Sequence, residues 1–356
     1  MFLPSFFFAN AERQTDTMNE TARAIPEWHN VDAAMFRDQI MPQYRPAVLR
    51  GAVRHWPAVA KALQSPQTVC AYLKGFDTGV DVNAIMTPPA ARGHVGYSDD
   101  LRGFSFVRNR LPLSAVIDQL QRYLGAEHAP SLAVQSAMMS ESIPGFLAEN
   151  RLALLDDSVL PRIWLGNRIT VPAHFDEAHN IACCVSGRRR FTLFPPEQVG
   201  NLYVGPLDFT PAGAPVSLAS AAQPDLDRYP RYREALAASL VAELEPGDAI
   251  YMPAIWWHQV ESIGALNILV NYWWGGPTSA TDRSASPSTS LMHSLLTIGQ
   301  LDPAMKQAWK AVFNHFLFND ADPAAHLPPG RRGILGQLSE DEIRKVKDAL
   351  IVQLKN

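Results

Sequence analysis

The chain has 356 residues, of which 47% are hydrophobic and 19% charged, a balance that excludes a disordered or coiled-coil protein. Its length is about twice that of a typical domain, which predicts one large domain with an appendage or two modules. The net charge of -4 provides no overall attraction to nucleic acid or to anionic lipid, so we expect neither as a partner.

The three cysteines are Cys70, Cys183 and Cys184, an odd number with two of them adjacent. This is a poor basis for a secreted disulfide framework and predicts a reducing, cytoplasmic location. The apolar residues 1–9 follow no basic segment and are too few to cross a bilayer, so we expect neither a signal peptide nor a membrane anchor. Because Met18 offers an alternative start, residues 1–17 are interpreted as an N-terminal tail.

The first half of the chain predicts a mixture of strands and helices. Residues 45–53 place valine and leucine between a proline and a turn, which is typical of a strand. Residues 113–124 have apolar side chains at helical spacing and predict a helix. Residues 85–100 are rich in proline and glycine, which indicates an exposed connection.

From residue 162 to residue 274 the sequence changes to short apolar runs bounded by glycine, proline and asparagine. Such runs predict an antiparallel barrel or sandwich. Between residues 194 and 241 lies a long insertion, and insertions of that length commonly close over a functional site. The predicted strands are 162–169, His179–Ser186, 190–194, 241–244, Ala249–Met252, Trp257–Ser262 and 266–274.

The last part of the chain predicts a linker followed by helices. Residues 277–290 are rich in serine, threonine and proline, as linkers are. Asp302 before Pro303 is typical of a helix start, and Ser339 with Glu342 forms a capping box. The region 291–356 is too small to bury its apolar stripes alone, so we expect these stripes to cover the barrel or a second copy of the chain.

The densest chemical pattern is VPAHFDEAHN at residues 171–180, paired with the later segment PGDAIYMPAIWWHQVES. His174 and Asp176 are separated by one residue, so their side chains can point to the same side of an extended backbone. His258 lies far downstream on another predicted strand. Two imidazoles and one carboxylate on one face of a metal form the facial triad of non-haem iron(II) oxygenases.

Four motifs in a fixed order resemble those of the JmjC and cupin-like hydroxylases, especially the asparaginyl hydroxylase branch known as factor inhibiting hypoxia-inducible factor. They are PAHFDEAHN, GRRRFTLFPPEQ, PGDAIYMPAIWWHQVES and NILVNYWW, and RPAVLRGAVRHWPA is similar to the family's entry strand. The resemblance implies a mainly β fold with flanking helices, a double-stranded β-helix of the cupin/JmjC jelly-roll type, over residues 18–276. It also implies iron(II) held by His174, Asp176 and His258, with 2-oxoglutarate as cosubstrate beside it.

The strand periodicity predicts an arginine inside this barrel. Arg189 shares one face of its strand with Phe191 and Leu193, and a guanidinium among apolar side chains requires an anion, for which a 2-oxoglutarate carboxylate is suited. The JmjC enzymes generally have a lysine at this position, so the geometry of the contact differs.

The resemblance further assigns Asn180, Asn271 and Trp273 to the surroundings of the cosubstrate. In the place of a threonine that contacts 2-oxoglutarate in the asparaginyl hydroxylase, this chain has Val171. The segment SLAVQSAMMS lacks the tyrosine that the same relative uses, and we expect Gln135 to substitute for it in part. His179 lies out of phase with Asn180, so we expect it to face the substrate or support the ligands rather than to bind metal.

These observations predict an iron(II)- and 2-oxoglutarate-dependent oxygenase that uses dioxygen to hydroxylate a C–H bond of a protein side chain, and that forms a homodimer through its C-terminal helices. One alternative keeps this chemistry but takes a small molecule or a modified RNA base. Another is a cupin-like protein that holds a metal without turnover. Arg189 distinguishes the last alternative, since a binding protein without turnover has no need of an anion-binding group inside the barrel.

Overall fold

The computed structural model describes residues 23–126, 128–276 and 286–354. These residues divide into two compact units, with the boundary between Ser284 and Ala285. The predicted tail and residues 277–285 of the predicted linker lie outside the described residues. Within the described ranges, no helix combines the length and the apolar character that crossing a bilayer requires.

The first unit is built on two β-sheets. The smaller sheet has the order β1-β11-β10-β13-β8, and the larger has the order β2-β3-β12-β9-β14-β7-β6-β4-β5. The strands are β1 (Arg23–Ala24), β2 (Glu27–His29), β3 (Ala47–Arg50), β4 (Asp81–Thr87), β5 (Val107–Pro112), β6 (Ser131–Met138), β7 (Pro161–Gly166), β8 (Thr170–His174), β9 (His179–Ser186), β10 (Arg189–Phe194), β11 (Leu240–Leu244), β12 (Ala249–Met252), β13 (Trp257–Ser262) and β14 (Asn267–Trp274).

Helices flank the sheets of the first unit and form the second unit. They are α1 (Ala33–Met35), α2 (Pro57–Gln64), α3 (Pro66–Lys74), α4 (Leu113–Tyr123), α5 (Met139–Ser142), α6 (Pro144–Glu149), α7 (Tyr232–Ala238), α8 (Pro287–Leu296), α9 (Pro303–Leu317) and α10 (Glu340–Leu354). Short turns of other helix types occur at Phe36–Ile40, Met41–Gln43, Pro89–Ala91, Pro196–Asn201, Ile298–Gln300, Pro329–Arg331 and Gly333–Leu335.

Strand β9 separates two hydrophobic cores. Ala182 and Cys184 pack in the core between the two sheets, together with Phe191 and Leu193 of the facing sheet. The intervening Cys183 packs in the other core, against the helices that cover the outside of the larger sheet. This alternation follows from the two-residue period of a strand, and it leaves only small side chains on the barrel side of β9. The predicted double-stranded β-helix with flanking helices is confirmed.

The insertion between β10 and β11 covers the outside of the smaller sheet. Leu202 and Tyr232 both lie within this insertion, and they pack in a third core with Phe194 and Trp257 of the sheet. The segment also returns toward β8, where Val216 forms a bridge with His174. The insertion therefore combines a packing surface with a connection that reaches the end of β8.

The second unit begins earlier than predicted. Helix α8 starts at Pro287, inside the predicted linker, because Ser286 accepts a hydrogen bond from the backbone N–H of Ser288 and proline suits the first helical turn. The predicted start of α9 is correct, since the Asp302 carboxylate accepts from the backbone N–H of Met305 at 3.0 Å. The capping box before α10 is also present, with Glu342 accepting from the backbone N–H of Ser339.

Candidate metal centre

Two histidines face each other across neighbouring strands. His174 ends β8 and lies directly opposite His258 of β13 in the antiparallel register, and their ring centroids are 4.3 Å apart. The register between these strands shifts after His258, so that Val260 lies opposite Val171. Such a bulge redirects side chains, and here Val171 and His174 both line the barrel interior.

Asp176 lies two residues beyond the end of β8. Its backbone carbonyl accepts a hydrogen bond from the N–H of Ile255 at 2.8 Å, which ties this turn to the segment before β13. One carboxylate oxygen accepts from the indole N–H of Trp273 at 2.9 Å and from the amide of Asn180 at 3.3 Å. Two donors from the larger sheet therefore orient a carboxylate that follows a strand of the smaller sheet.

The backbone determines which nitrogen of each imidazole is available. Nδ1 of His174 lies 2.9 Å from the carbonyl of Pro172, and Nδ1 of His258 lies 3.0 Å from the carbonyl of Trp256. A carbonyl can only accept, so each Nδ1 donates and each Nε2 keeps its lone pair. Burial, and secondly the proximity of His174, lowers the pKa of His258 to about 4, which keeps this imidazole neutral at physiological pH.

The three side chains form a group with the composition of an iron site. One donor atom from each of His174, Asp176 and His258 lies within 4.8 Å of the others, and Nε2 of His258 is 3.7 Å from Oδ2 of Asp176. Metal-binding histidines commonly donate their second ring nitrogen to a carbonyl, as both do here. This donor set fits a divalent transition metal and leaves further coordination positions for exogenous ligands.

Arg189 is buried inside the barrel without a partner. No hydrogen bond or ion pair reaches its guanidinium from any residue that the structure describes, and its Nε is fully enclosed. Burial lowers its pKa to about 10, so the group remains a cation at neutral pH. An isolated buried cation is unfavourable, which indicates that this position receives an anion.

Two further buried polar atoms lack partners on the same inner surface. The side-chain amide N–H of Asn271 donates to the side-chain Oδ1 of Asn180 at 2.9 Å, but Oδ1 of Asn271 has no partner among the described residues. The indole N–H of Trp164 is likewise unsatisfied within the described chain. Buried polar groups are rarely left without partners, so these atoms indicate a ligand or water in the cavity.

A single cavity of about 410 Å³ contains all of the residues predicted for the site. Its size is in the range of cavities that enclose small ligands. The predicted residues on its surface are His174, Asp176, His258, Asn180, Arg189, Asn271, Trp273 and Gln135. The structure thus brings together side chains from both sheets, and their individual roles remain predictions.

His179 lies outside this cavity. Its Nδ1 is 3.0 Å from the hydroxyl of Tyr251, and its ring stacks on Trp274 with centroids 5.5 Å apart. Because His179 is one residue before Asn180, the strand places it on the opposite face. The expectation that it is not a metal ligand agrees with this position, and the expected place beside the substrate or the ligands stays a prediction.

Several cavity residues were not predicted. Trp164 shares its strand face with Arg162, so alternation along the predicted strand could have identified it once one inward residue was known. Asn83 and Arg108 lie on β4 and β5, whose sequences show no clear strand pattern. Residues 210–214 of the insertion also line the cavity, and no periodic pattern marks them.

Comparison with known protein families matches residues 32–279 to the cupin-like domain. The chain is 29% identical over 273 residues to the human bifunctional peptidase and (3S)-lysyl hydroxylase JMJD7, covering 67% of this chain and 79% of that protein. It is 30% identical over 272 residues to Jumonji C domain-containing protein 5 of Drosophila melanogaster, covering 70% of this chain and 59% of the relative.

A third relative is lysine-specific demethylase JMJ31 of Arabidopsis thaliana, 28% identical over 274 residues, which are 68% of this chain and 48% of that protein. The chain thus spans about half of the length of two of these three relatives. The predicted closeness to the asparaginyl hydroxylase branch stays a prediction. The family match, the names of the relatives and the clustered His-Asp-His group agree with one another, and the chain belongs to the cupin-like family, among the JmjC-type iron(II)- and 2-oxoglutarate-dependent oxygenases.

Proposed function

We propose that this protein hydroxylates a C–H bond in a protein side chain, with iron(II) bound by His174, Asp176 and His258. The single observation that carries the proposal is the convergence of these three donor side chains in a cavity that also contains an unpaired buried arginine. The names of the relatives support a protein substrate, since they describe a lysyl hydroxylase and a lysine-specific demethylase.

The chain's own residues prepare the metal position. The carbonyls of Pro172 and Trp256 hold both imidazoles in the tautomer that presents Nε2, and Trp273 with Asn180 orients the Asp176 carboxylate. These supports reduce the reorganisation needed when a metal binds. Iron(II) with 2-oxoglutarate and dioxygen supplies, when bound, the oxidising power for hydroxylation of an unactivated C–H bond.

Arg189 is the proposed binding group for the distal carboxylate of 2-oxoglutarate. Its planar guanidinium can form two parallel hydrogen bonds to a carboxylate, where the lysine usual in the family offers a point charge. The indole N–H of Trp164 and the amide of Asn271 are near enough to the same cavity to contribute polar contacts. Val171 contributes an apolar wall, and Phe191 and Leu269 help to exclude water from it.

The experiment that tests this proposal measures succinate release from 2-oxoglutarate by the full-length protein with iron(II) and ascorbate. We expect turnover that is lost in His174→Ala and in Asp176→Ala, because each substitution removes a metal ligand. Equilibrium binding of manganese(II) to the same variants should be weakened in parallel. A wild-type protein that binds the metal but neither binds nor consumes 2-oxoglutarate would contradict the proposal and favour the binding protein without turnover.

A homodimer formed through the C-terminal helices is part of the proposed function. On α9, Trp309 and Phe316 expose 42% and 45% of their surface, and on α10 Ile343 and Leu350 are exposed as well. Large apolar side chains at helical spacing are unfavourable in water and support an interface with another molecule. A second copy of this chain presents the same stripe, which is the requirement for a two-fold interface.

We also propose that the protein works in a reducing, cytoplasmic environment. Cys183 and Cys184 pack in different cores on opposite faces of β9, so their adjacency in sequence does not bring their thiols together. Cys70 is a third buried free thiol, and burial raises its pKa to about 11. Buried, protonated thiols are consistent with packing roles.

A further inference from the structure

Strand β5, at the edge of the larger sheet, carries two arginines on the side that borders the cavity. In the register of β4 and β5, Arg110 lies opposite Asn83 and Arg108 lies opposite Ile85. Residues directly opposite each other project from the same face of a sheet. Asn83 and Arg108 both line the cavity, so the alternation also places Arg110 at its border.

A third arginine approaches the cavity from β7. Arg162 lies opposite Asn271 in the register of β7 and β14, and Asn271 lines the cavity. One of its guanidinium nitrogens lies 3.3 Å from the carbonyl of Ser136, another residue of the cavity wall. We call Arg108, Arg110 and Arg162 the arginine rim.

None of the rim arginines forms an ion pair with an acidic side chain in the part of the chain that the structure describes. Their hydrogen bonds within the described residues go to uncharged groups: Arg108 donates to the carbonyl of Pro211 at 2.8 Å, and Arg110 donates to the carbonyl of Asp81 at 3.2 Å. Arg108 also lies over the ring of Phe106. The positive charges of the rim are therefore not neutralised by contacts within these residues.

The described cavity wall offers the rim no free carboxylate, and Asp208, two residues before the cavity-lining Thr210, forms no ion pair with a rim arginine in the described part of the chain. Among the described residues that line the cavity, the only carboxylate is that of Asp176, which belongs to the proposed metal site. Asp100 lies in a nearby hairpin, where it accepts from the hydroxyl of Ser98 and the N–H of Arg102. Asp81 continues the face of Asn83, but it lies opposite Pro112, at the far end of β4.

The charges deeper in the cavity balance once the proposed ligands are bound. Iron(II) and the 2-oxoglutarate dianion have opposite charges of equal size, and Asp176 and Arg189 form a second such pair of charges. The rim arginines then determine the field that an approaching substrate meets. A lysine or arginine acceptor would enter this field as a cation without a free carboxylate to receive it, and that desolvation is unfavourable.

We propose that the arginine rim binds acidic residues of a polypeptide substrate, and that the hydroxylated side chain is uncharged or anionic rather than that of lysine or arginine. This inference rests on the proposed hydroxylase function and specifies its substrate class. It separates this protein in substrate charge from the relatives whose names describe lysine substrates. The match between three unpaired cations and an anionic segment is the complementarity that steers and orders charged partners.

A binding experiment without turnover tests the inference. The full-length protein is loaded with manganese(II) and 2-oxoglutarate in the absence of dioxygen. Fluorescence anisotropy then compares two labelled pools of short random peptides, matched in apolar content, of which one is enriched in aspartate and glutamate and the other in lysine and arginine. We expect the acidic pool to bind roughly tenfold tighter at low ionic strength, with a difference that shrinks as salt is added. Equal binding, or tighter binding of the basic pool, would overturn the inference.

Variants locate the preference on the rim. The double variant Arg108→Gln, Arg110→Glu removes two positive charges from the rim and adds one negative charge. It keeps an amide donor on the side of the Pro211 carbonyl, but it gives up the hydrogen bond from Arg110 to the Asp81 carbonyl and the contact of Arg108 with the ring of Phe106, so thermal unfolding of the variant is measured first to establish that it is folded. We expect this variant to lose the acidic preference. The matched control is Arg122→Glu, Arg151→Gln, which changes the net charge equally at exposed positions on the helical side of the larger sheet, and which should keep the preference. An acidic preference that survives in the rim variant would also contradict the proposal.

Two additional readouts separate the possible failures. Free glutamate should compete with the acidic pool only weakly, because one small anion cannot contact the whole rim; competition at the affinity of the peptides would mean a small-molecule site and would refute the polypeptide assignment. Succinate release reports on the oxygenase chemistry and is measured separately, on the same purified protein reloaded with iron(II), ascorbate and 2-oxoglutarate in air. Turnover without an acidic preference contradicts only this inference, whereas an acidic preference without turnover contradicts the proposed function.

Discussion

At the scale of single residues, Arg189 combines a cost to folding with a use in binding. Its guanidinium is buried between the sheets with no partner among the described residues, and the lowered pKa reflects the loss of solvation. A native protein retains such a group when a ligand compensates for it. Arg189 should therefore lower the free energy of unfolding of the protein without 2-oxoglutarate, and it should raise the affinity for this cosubstrate.

Replacement of this arginine by a neutral side chain of similar length tests that conflict. In Arg189→Met we expect the free energy of unfolding without 2-oxoglutarate to rise by about 1 kcal/mol or more, because an unpaired buried cation is removed. The half-saturating concentration of 2-oxoglutarate should rise roughly 10- to 100-fold, because a charge-assisted contact is lost. Urea unfolding and 2-oxoglutarate titration measure the two effects.

The neighbouring arginine provides the control for this substitution. Arg188 is exposed and lies 3.8 Å from a carboxylate oxygen of Glu243, outside the barrel. Arg188→Met should change neither quantity appreciably. A loss of stability in Arg189→Met, with unchanged affinity for 2-oxoglutarate, would show that Arg189 has a structural role instead.

The pKa of His258 predicts how stability depends on pH in the metal-free protein. The unfolded chain takes up a proton on this residue near pH 6.5, whereas the folded chain does so only near pH 4. Because the unfolded state binds more protons within that window, the free energy of unfolding should fall as the pH drops from about 6.5 to about 4, by up to about 3 kcal/mol. Urea titrations at a series of pH values, with chelator present, measure this slope.

His258→Gln removes the titrating group and should flatten most of the slope. A residual slope of the same sign is expected from His94, whose pKa is also lowered by burial. If wild type and variant lost stability in parallel over this range, His258 would not be the group responsible.

At the scale of secondary structure, the tight connection between β9 and β10 controls the register of the barrel. Gly187 has a φ of +74°, and a Cβ atom at this position would lie 2.6 Å from the carbonyl oxygen of Leu266 and closer still to the side chain of Asn267. Both the backbone conformation and the close approach therefore require glycine here. The same connection sets the phase that turns Arg189 into the barrel.

Gly187→Ala should consequently destabilise the protein by about 3 kcal/mol or more, because strain from the positive φ and steric overlap add together. The control is Gly79→Ala, at a φ of +79° with no atom within 4 Å of the added Cβ. This control measures the effect of the positive φ alone, and it should lower the free energy of unfolding by about 1 kcal/mol. Thermal and urea unfolding compare the two variants, and equal losses would mean that the overlap is relieved by local movement.

The ease with which each strand could be predicted follows its composition and its neighbours. Strands β9, β12 and β13 were predicted with their observed bounds. For β9 and β12 the signal is a short run of mostly apolar residues between turn residues, whereas β13 has four polar residues and was recognisable by its turn boundaries and by the motif that contains His258. Strands β4 and β5 were missed because exposed polar and charged residues interrupt them, and pairing at the edge of the sheet defines them instead.

The metal ligands could be predicted from their residue types, but the hydrogen bonds that orient the Asp176 carboxylate could not. Strand β8 was missed as a strand, since Pro172 interrupts it and its partner lies far along the chain. The contacts of Trp273 and Asn180 with Asp176 depend on the register between distant strands, which a single sequence does not specify. The barrel-side positions of Asn180 and Arg189 were accessible because strand alternation is a local rule.

At the scale of the whole molecule, the chain consists of a barrel unit and a helical unit with different surface properties. The barrel unit encloses its apolar side chains in several cores, whereas α9 and α10 leave theirs exposed. This difference is expected for a catalytic unit joined to an assembly unit, and it assigns the proposed self-association to the helices.

Light scattering of the full-length protein after size-exclusion chromatography should give the mass of a dimer. Trp309→Glu should convert it to a monomer at micromolar concentration, because a buried charge opposes the interface. Lys306→Glu changes charge on the same helix without removing an apolar contact, and it should remain dimeric. A wild-type chain that is monomeric at all accessible concentrations would contradict the proposed interface.

The position of Asp176 links metal binding at the proposed site to the thermal stability of the barrel. This residue follows a strand of the smaller sheet, but its carboxylate accepts hydrogen bonds from Trp273 and Asn180 of the larger sheet. An ion bound to Asp176 would therefore cross-link the two layers. Ligands that bind only the native state raise its resistance to heat in proportion to the logarithm of their concentration. The melting temperature of this protein should accordingly rise as iron is added, and it can be used to follow how much iron a preparation has bound.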